Sequence, residues 1–357
     1  MVEFAGWDMP LSYSGVLDEH RAVRAAAGLF DISHMGRIAV EGDAAETLLQ
    51  RIVTRNLAKM PDGSARYALV CRESGGVLDD VVVYRRKAGQ FFVVVNASNR
   101  EKIVRWFQQQ AATVDGDAVQ VWDLSDAVAM IAVQGPLAFG VLQPMTTLAG
   151  HATLTGMKRW RLTPATVAGV ELLLATSGYT GEPGAELFVP AEQAAALWDA
   201  ILTAGKPHGV KPIGLGARDT LRLEMGYSLY GHEIDESITP LEAGLDWAVD
   251  LEAKSFIGRD ALQAQRAAGL TRRLAAFALP DRAVPRQGYR LMQDGQPVGV
   301  VTSGNMSPML QRGIGLGFLP PAMGTAGRSI GVEIRDAVHQ ATIAPLPFYT
   351  PSKGGRS

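Results

Sequence analysis

Two adjacent carboxylates, Asp79 and Asp80, open an alternating run that closes on Tyr84. In a strand, successive side chains point to opposite faces. Asp80, Val82 and Tyr84 then share one face, and Asp79, Val81 and Val83 the other, so the pair does not read as an aspartic dyad. A carboxylate placed beside an apolar residue and an aromatic ring costs desolvation energy unless it meets a donor or a cation. Two readings fit the spacing. One is a strand-start aspartate capping the turn Glu73-Ser74-Gly75-Gly76; the other is a charge placed for chemistry.

Residues 178–186 hold Gly178, Gly181, Pro183 and Gly184. Such a loop lets backbone come close to a flat ligand. Glu186 stands where the next strand begins. A carboxylate there can accept two parallel hydrogen bonds from an amidine-like edge, such as a pterin or guanine presents. An exposed glutamate on a long hairpin is the plain alternative.

Residues 214–224 contain Gly-x-Gly, but Asp219 stands where a dinucleotide fingerprint needs its third glycine. No strand with an acidic partner about 20 residues on completes a Rossmann unit, which excludes nicotinamide and flavin binding there. Arg218 and Arg222 lie four apart on one side of a helix. One could face a ligand; a salt bridge to Asp219 or Glu224 is the other reading. His232, followed by Glu233, Asp235 and Glu236, is either an acid–base group or a salt-bridged surface residue.

Composition narrows the chemistry further. The 357 residues carry 34 Lys and Arg against 36 Asp and Glu, a net charge of −2, which shows no basic footprint for nucleic acid. Cys71 is the single cysteine, so a disulfide scaffold, a cysteine-built zinc site and an iron–sulfur cluster are excluded. No two of the six histidines lie four apart, which excludes a helical zinc protease site; no metal is expected. There is no membrane-length apolar run and no signal-peptide pattern. A cytoplasmic protein with no membrane partner is expected, and a monomer is the default.

The elements that must position these groups follow from periodicity. A helix is expected over 17–27 with Gly28 ending it, a strand over 36–40 and a helix over 44–51. Strands at 65–71 and 77–84 flank the 73–76 turn, with another at 91–95. Ser98 and Glu101 have capping-box spacing and predict a helix to about 110. After 128 the pattern restarts: strands at 129–133, 170–175 and 187–189, and helices from Pro136 to 142 and over 191–202, 217–225 and 260–268. The C-terminal residues space many glycines between short β-rich runs, the rhythm of a small barrel or sandwich. Gly313, Gly315 and Gly317 read there as close packing, not as a phosphate cradle.

Several motifs then fall in order along nearly the whole chain. They are Phe4-Ala5-Gly6-Trp7-Asp8-Met9-Pro10, Gly28-Leu29-Phe30-Asp31-Ile32-Ser33-His34-Met35, Gly75-Gly76 with Asp79-Asp80, and Asn96-Ala97-Ser98-Asn99-Arg100. Gln134-Gly135-Pro136, Gly178-Tyr179-Thr180-Gly181-Glu182, the 214–224 segment, Leu229-Tyr230-Gly231-His232-Glu233 and Thr302-Ser303-Gly304 follow. Together they resemble the glycine cleavage system T proteins, the aminomethyltransferases. Ile103 and Asn305-Met306 depart from the usual pattern.

The resemblance implies an α+β, multidomain folate-binding fold with three domains around a central channel. Residues 1–42 and 126–262 would form a discontinuous folate-binding domain, 43–125 an inserted α+β domain, and 263–357 a β-barrel or jelly-roll-like domain. It implies transfer of a methylene carbon from the aminomethyl-loaded lipoyl arm of H protein to tetrahydrofolate, with release of ammonia. By motif position, Asp80 would be catalytic, Glu186 would bind the pterin and Arg218 would contact the ligand. Tyr67, Tyr84 and Tyr227 would pack against its rings, Asn96 would lie beside them, and Tyr349 would reach in from the last domain. The same fold also suits a tetrahydrofolate-dependent demethylase of a small methylated substrate, which would need no carrier protein.

Overall fold

β-Branched and aromatic runs build two large sheets and a closed barrel, beside a two-stranded ribbon of Val2–Phe4 with Trp7–Met9, among the described residues. The computed structural model describes residues 1–114 and 118–351. They divide into two compact units: Met1–Ala68 with Asp79–Arg218, and Leu69–Leu78 with Asp219–Thr350.

Beside that ribbon, the first unit holds the two large sheets. One has seven strands, in the order Thr146–Leu148, Leu162–Val167, Val170–Ala175, Gly184–Pro190, Val128–Gln134, Gly28–Asp31 and Lys211–Pro212. Only the last pairing is parallel. Its core joins Leu29, Ile131, Val133 and Leu187 to Leu197 and Ile201 of the helix Ala194–Gly205. The other sheet has five strands, in the order Ser64–Cys71, Val77–Lys87, Gln90–Val95, Gly36–Glu41 and Gln120–Asp123. Its hairpin tip, Leu69–Leu78, belongs to the second unit.

Three local expectations change in the structure. The first helix is Val16–Ala25, and Gly28 opens a strand instead of ending that helix. The capping box at Ser98 and Glu101 does not form. A 3-10 turn at Ala97–Asn99 leads into the helix Arg100–Ala111, whose N-cap Asn99 makes no capping bond. The helix therefore starts one residue later than the box requires, with Ser98 inside the turn, and Asn99 Nδ2 donates to Asp79 at 2.6 Å. Finally, Glu186 lies inside the strand Gly184–Pro190 and not at its start. The departure at Ile103 is a core substitution, since that side chain is fully buried.

The second unit contains a closed six-stranded barrel, ordered Arg273–Ala278, Arg312–Leu319, Gln296–Ser307, Arg290–Gln293, Ser329–Ile334 and Ala337–Ala344. The glycine triplet of the strand Arg312–Leu319 is the close packing its spacing suggested. A Cβ on Gly315 would stand 2.4 Å from Phe277 Cζ. Among the described residues no helix is long and apolar enough to cross a membrane.

Gly184 is the close approach that matters for the site. It pairs opposite Gln134, and a Cβ there would stand 2.3 Å from the Val133 carbonyl oxygen. Backbone must shift to admit it, so Gly184→Ala should cost about 1–3 kcal/mol in urea denaturation. Unchanged stability would mean that the two strands are not held this tightly.

Candidate active site

Asp80 is placed by strand register. Val82 lies opposite Val94, so the neighbouring strand carries Asn96 alongside Asp80. Asn96 Nδ2 donates to Asp80 Oδ1 at 2.6 Å and lies 3.2 Å from the Asp80 carbonyl oxygen. On the other flank the Tyr67 hydroxyl stands 3.0 Å from Asp80 Oδ2. Asp80, Tyr67 and Asn96 are each partly exposed, so a ligand can reach them.

Asp79 is sealed completely. The Asn96 backbone N–H donates to its Oδ2 at 3.0 Å, while Asn96 Nδ2 and Asn99 Nδ2 donate to its Oδ1 at 2.8 and 2.6 Å. The two aspartates leave the strand on opposite faces, yet one asparagine amide meets both. Burial pushes both carboxyls above the ordinary range, and the Asp80 charge adds to the rise in Asp79.

A second group forms around Glu186. Ser177 Oγ and the Tyr84 hydroxyl donate to its Oε2 at 2.5 and 3.2 Å, and they lie 3.1 Å from each other. Oε1 has no partner among the described residues, so it is the oxygen left for a ligand donor. Burial raises this carboxyl, opposed by Ser177, Arg218 and Tyr84. Tyr84 is fully buried and meets Phe188 edge-on, with ring centroids 5.6 Å apart. Gln134 Nε2 fixes the Ser177 carbonyl at 2.9 Å. The loop itself is clamped by Arg24, which donates to the Thr180 carbonyl at 2.7 Å and to buried Glu182 at 2.8 Å.

Arg218 places its guanidinium carbon 4.8 Å from the Tyr179 ring centroid, a cation–π stack on the same loop. Arg222, four residues on, is the salt-bridged one of the pair. It is buried and bonds Asp219 at 2.9 Å, Glu233 at 3.0 Å and Ser303 at 2.9 Å. His232 Nδ1 lies 3.0 Å from the Thr302 carbonyl. Tyr227 and Tyr349 belong to the second unit. There the Tyr227 carbonyl accepts from Arg222 at 3.1 Å, and the Tyr349 N–H donates to the Glu224 carbonyl at 3.2 Å.

The first unit thus gathers Asp80, Tyr67 and Asn96 in one group and Glu186 and Tyr84 in another, with Arg218 acting on Glu186. Sequence reasoning missed Asp79, Asn99, Ser177 and Tyr179 as partners. The three-residue spacing of Asn96 and Asn99, straight after a strand, was the available signal for two amides serving one carboxylate. No cluster of metal-ligating side chains occurs among the described residues.

His34 was passed over as well. It is buried, and its ordinary value of 6.5 falls to about 3, first through burial and then through the Arg218 and Arg37 charges. Native His34 therefore stays neutral while the unfolded chain takes a proton below 6.5. Stability is present above that pH and is lost as pH falls, by about 2 kcal/mol between pH 7 and pH 5. The raised Asp79, Asp80 and Glu186 carboxyls act in the opposite sense. The difference between wild type and His34→Phe isolates the histidine: denaturant titrations should show a shallower acid loss in the variant. Parallel losses would contradict the shift.

Comparison with known proteins agrees with this geometry. Residues 1–253 match the family described as GCVT N-terminal domain, and residues 272–350 match the glycine cleavage T-protein C-terminal barrel domain. The chain is 48% identical over 350 residues to an aminomethyltransferase of Rubrobacter xylanophilus, covering 98% of this chain and 90% of that protein. It is 46% identical over 354 residues to one of Chlorobium luteolum, covering 99% and 95%. The crystal structure of glycine cleavage system aminomethyltransferase T from Bartonella henselae superposes with a TM-score of 0.89 at 34% identity, covering 98% of this chain and 94% of that one. The chain belongs to the glycine cleavage T-protein family.

Proposed function

We propose that this enzyme is the aminomethyltransferase of the glycine cleavage system. It moves the methylene carbon from the aminomethyl group on the lipoyl arm of H protein to tetrahydrofolate and releases ammonia. The observation that carries this reading is the pairing of two partly exposed carboxyl groups with different surroundings. Asp80 is held by a phenol and an amide, and Glu186 presents a free Oε1 beside a stacked arginine.

The residues present fit a folate. Glu186 Oε1 accepts from the N–H edge of the pterin, with Oε2 held in place by Ser177 and Tyr84. Arg218, stacked on Tyr179, contacts the ligand and balances the Glu186 charge. Asp80 sits at the reacting centre, where the carboxyl pair sets negative charge against a developing cation. Tyr67 and Asn96 orient it. Tyr227 and Tyr349 are assigned to ring packing by motif position. The proposed division is 1–42 with 126–262, 43–125, and 263–357; the barrel fits the last part, while the strand Gly36–Glu41 pairs within the sheet of the middle part.

The test is a calorimetric titration with tetrahydrofolate and with an analogue lacking the pterin 2-amino group. Saturable binding is expected for the first. Binding at least about tenfold weaker is expected for the second, the effect of one hydrogen bond to a charged group. No saturable binding of tetrahydrofolate would remove the reading.

A further inference from the structure

Asp79 and Asp80 share one amide and have no counter-ion among the described residues: their hydrogen-bond partners, Tyr67, Asn96 and Asn99, are all neutral. Two carboxylates so arranged cannot both ionise cheaply, so the pair holds one proton over a wide pH range. Burial and the Asp80 charge, both of which raise Asp79, favour the sealed carboxyl as the holder; the chemistry of the hydrogen-bond partners outweighs them.

Every group bonded to Asp79 is an N–H. Two amide donors end on Oδ1 and one backbone N–H ends on Oδ2. None of these nitrogens can accept a hydrogen bond. A proton on either oxygen would therefore find no acceptor among these partners. Asp80 differs. Its Oδ1 takes the Asn96 amide, but its Oδ2 faces the Tyr67 hydroxyl, which can donate or accept. A proton on Asp80 Oδ2 keeps every hydrogen bond of the pair, with the phenol turned to accept.

We propose that Asp79 is a positioning residue: as the sealed anion it fixes Asn96 as a donor and keeps the shared proton on Asp80, at Oδ2 toward Tyr67. Its part in turnover rests on the transfer reading above; the placement of the proton does not. Tyr84, two residues from Val82 on the Asp80 face of the strand, bonds the carboxyl of Glu186. Arg218 balances Glu186, and Tyr179 acts on Tyr67.

Two measurements on the full chain test this. The first is the infrared stretch of the protonated carboxyl at neutral pH, in wild type and in Tyr67→Phe. The band should shift in the variant, because the phenol oxygen accepts that proton. A band that ignores Tyr67→Phe overturns the assignment. The second is the pH dependence of ammonia release in wild type, Asp80→Asn and Asp79→Asn. The limb that vanishes in Asp80→Asn reports the pair. In Asp79→Asn it should move to lower pH by about one unit or more, since a charge beside Asp80 is gone. If Asp79 carried the proton, asparagine would be its neutral isostere and the limb would stay in place, which overturns the proposal. Should Asp79→Asn fail to fold, the Tyr67→Phe band still decides. A wild type that shows the shifting band but no folate-dependent ammonia release would sink the transfer reading and leave the proton assignment standing.

Discussion

Asp80→Asn should slow folate-dependent ammonia release by about 10²-fold or more, the usual scale for a positioned acid–base or charged group. The substitution keeps the size of the side chain and one acceptor for the Asn96 amide, now 2.6 Å away. It removes the proton site that faces Tyr67. The fold should survive, because Asp80 is partly exposed and its sealed neighbour Asp79 keeps all three N–H donors. Most of the affinity for tetrahydrofolate should survive too, since Glu186 and Arg218 are untouched. Stopped-flow turnover beside a binding titration separates the two quantities. Near wild-type turnover would remove Asp80 from the reacting centre.

Glu186→Ala should act on the other quantity. A hydrogen bond to a charged group contributes about 1.5–3 kcal/mol, which corresponds to roughly 10–100-fold in the dissociation constant for tetrahydrofolate. The truncation also frees Ser177 Oγ and the Tyr84 hydroxyl, which still meet each other at 3.1 Å, so the buried phenol keeps a partner. Glu186→Gln keeps one acceptor oxygen without the charge and should fall between wild type and alanine. Unchanged affinity in Glu186→Ala would mean that the pterin does not bind here.

The parts of this site that were legible in the sequence are those set by local pattern. Alternation placed Asp80 on the face of Val82 and Tyr84, and glycine spacing announced the barrel, where Gly315 meets the Phe277 ring. Helical spacing put Arg218 and Arg222 on one side but could not separate them. The separation comes from Glu233, buried against Arg222, and from Tyr179, under Arg218. Both partners lie outside the helix. The Asp79 network was illegible for the same reason. Asn96 reaches it by cross-strand register, and Asn99 from the N-cap position of the following helix. The capping box failed because the helix starts one residue later than it requires: Ser98 lies in the 3-10 turn Ala97–Asn99 and Asn99 takes the N-cap position. The surroundings of His34 were also out of reach, since the Arg37 and Arg218 charges that act on it come together only in the fold.

Ammonia release from aminomethyl-loaded, lipoylated H protein, measured with and without tetrahydrofolate, tests the transfer most directly. Fast release that requires tetrahydrofolate, with 5,10-methylenetetrahydrofolate formed in equal amount, is the predicted result. Release at the same slow rate with and without the folate, in a sample shown to bind tetrahydrofolate, would contradict it.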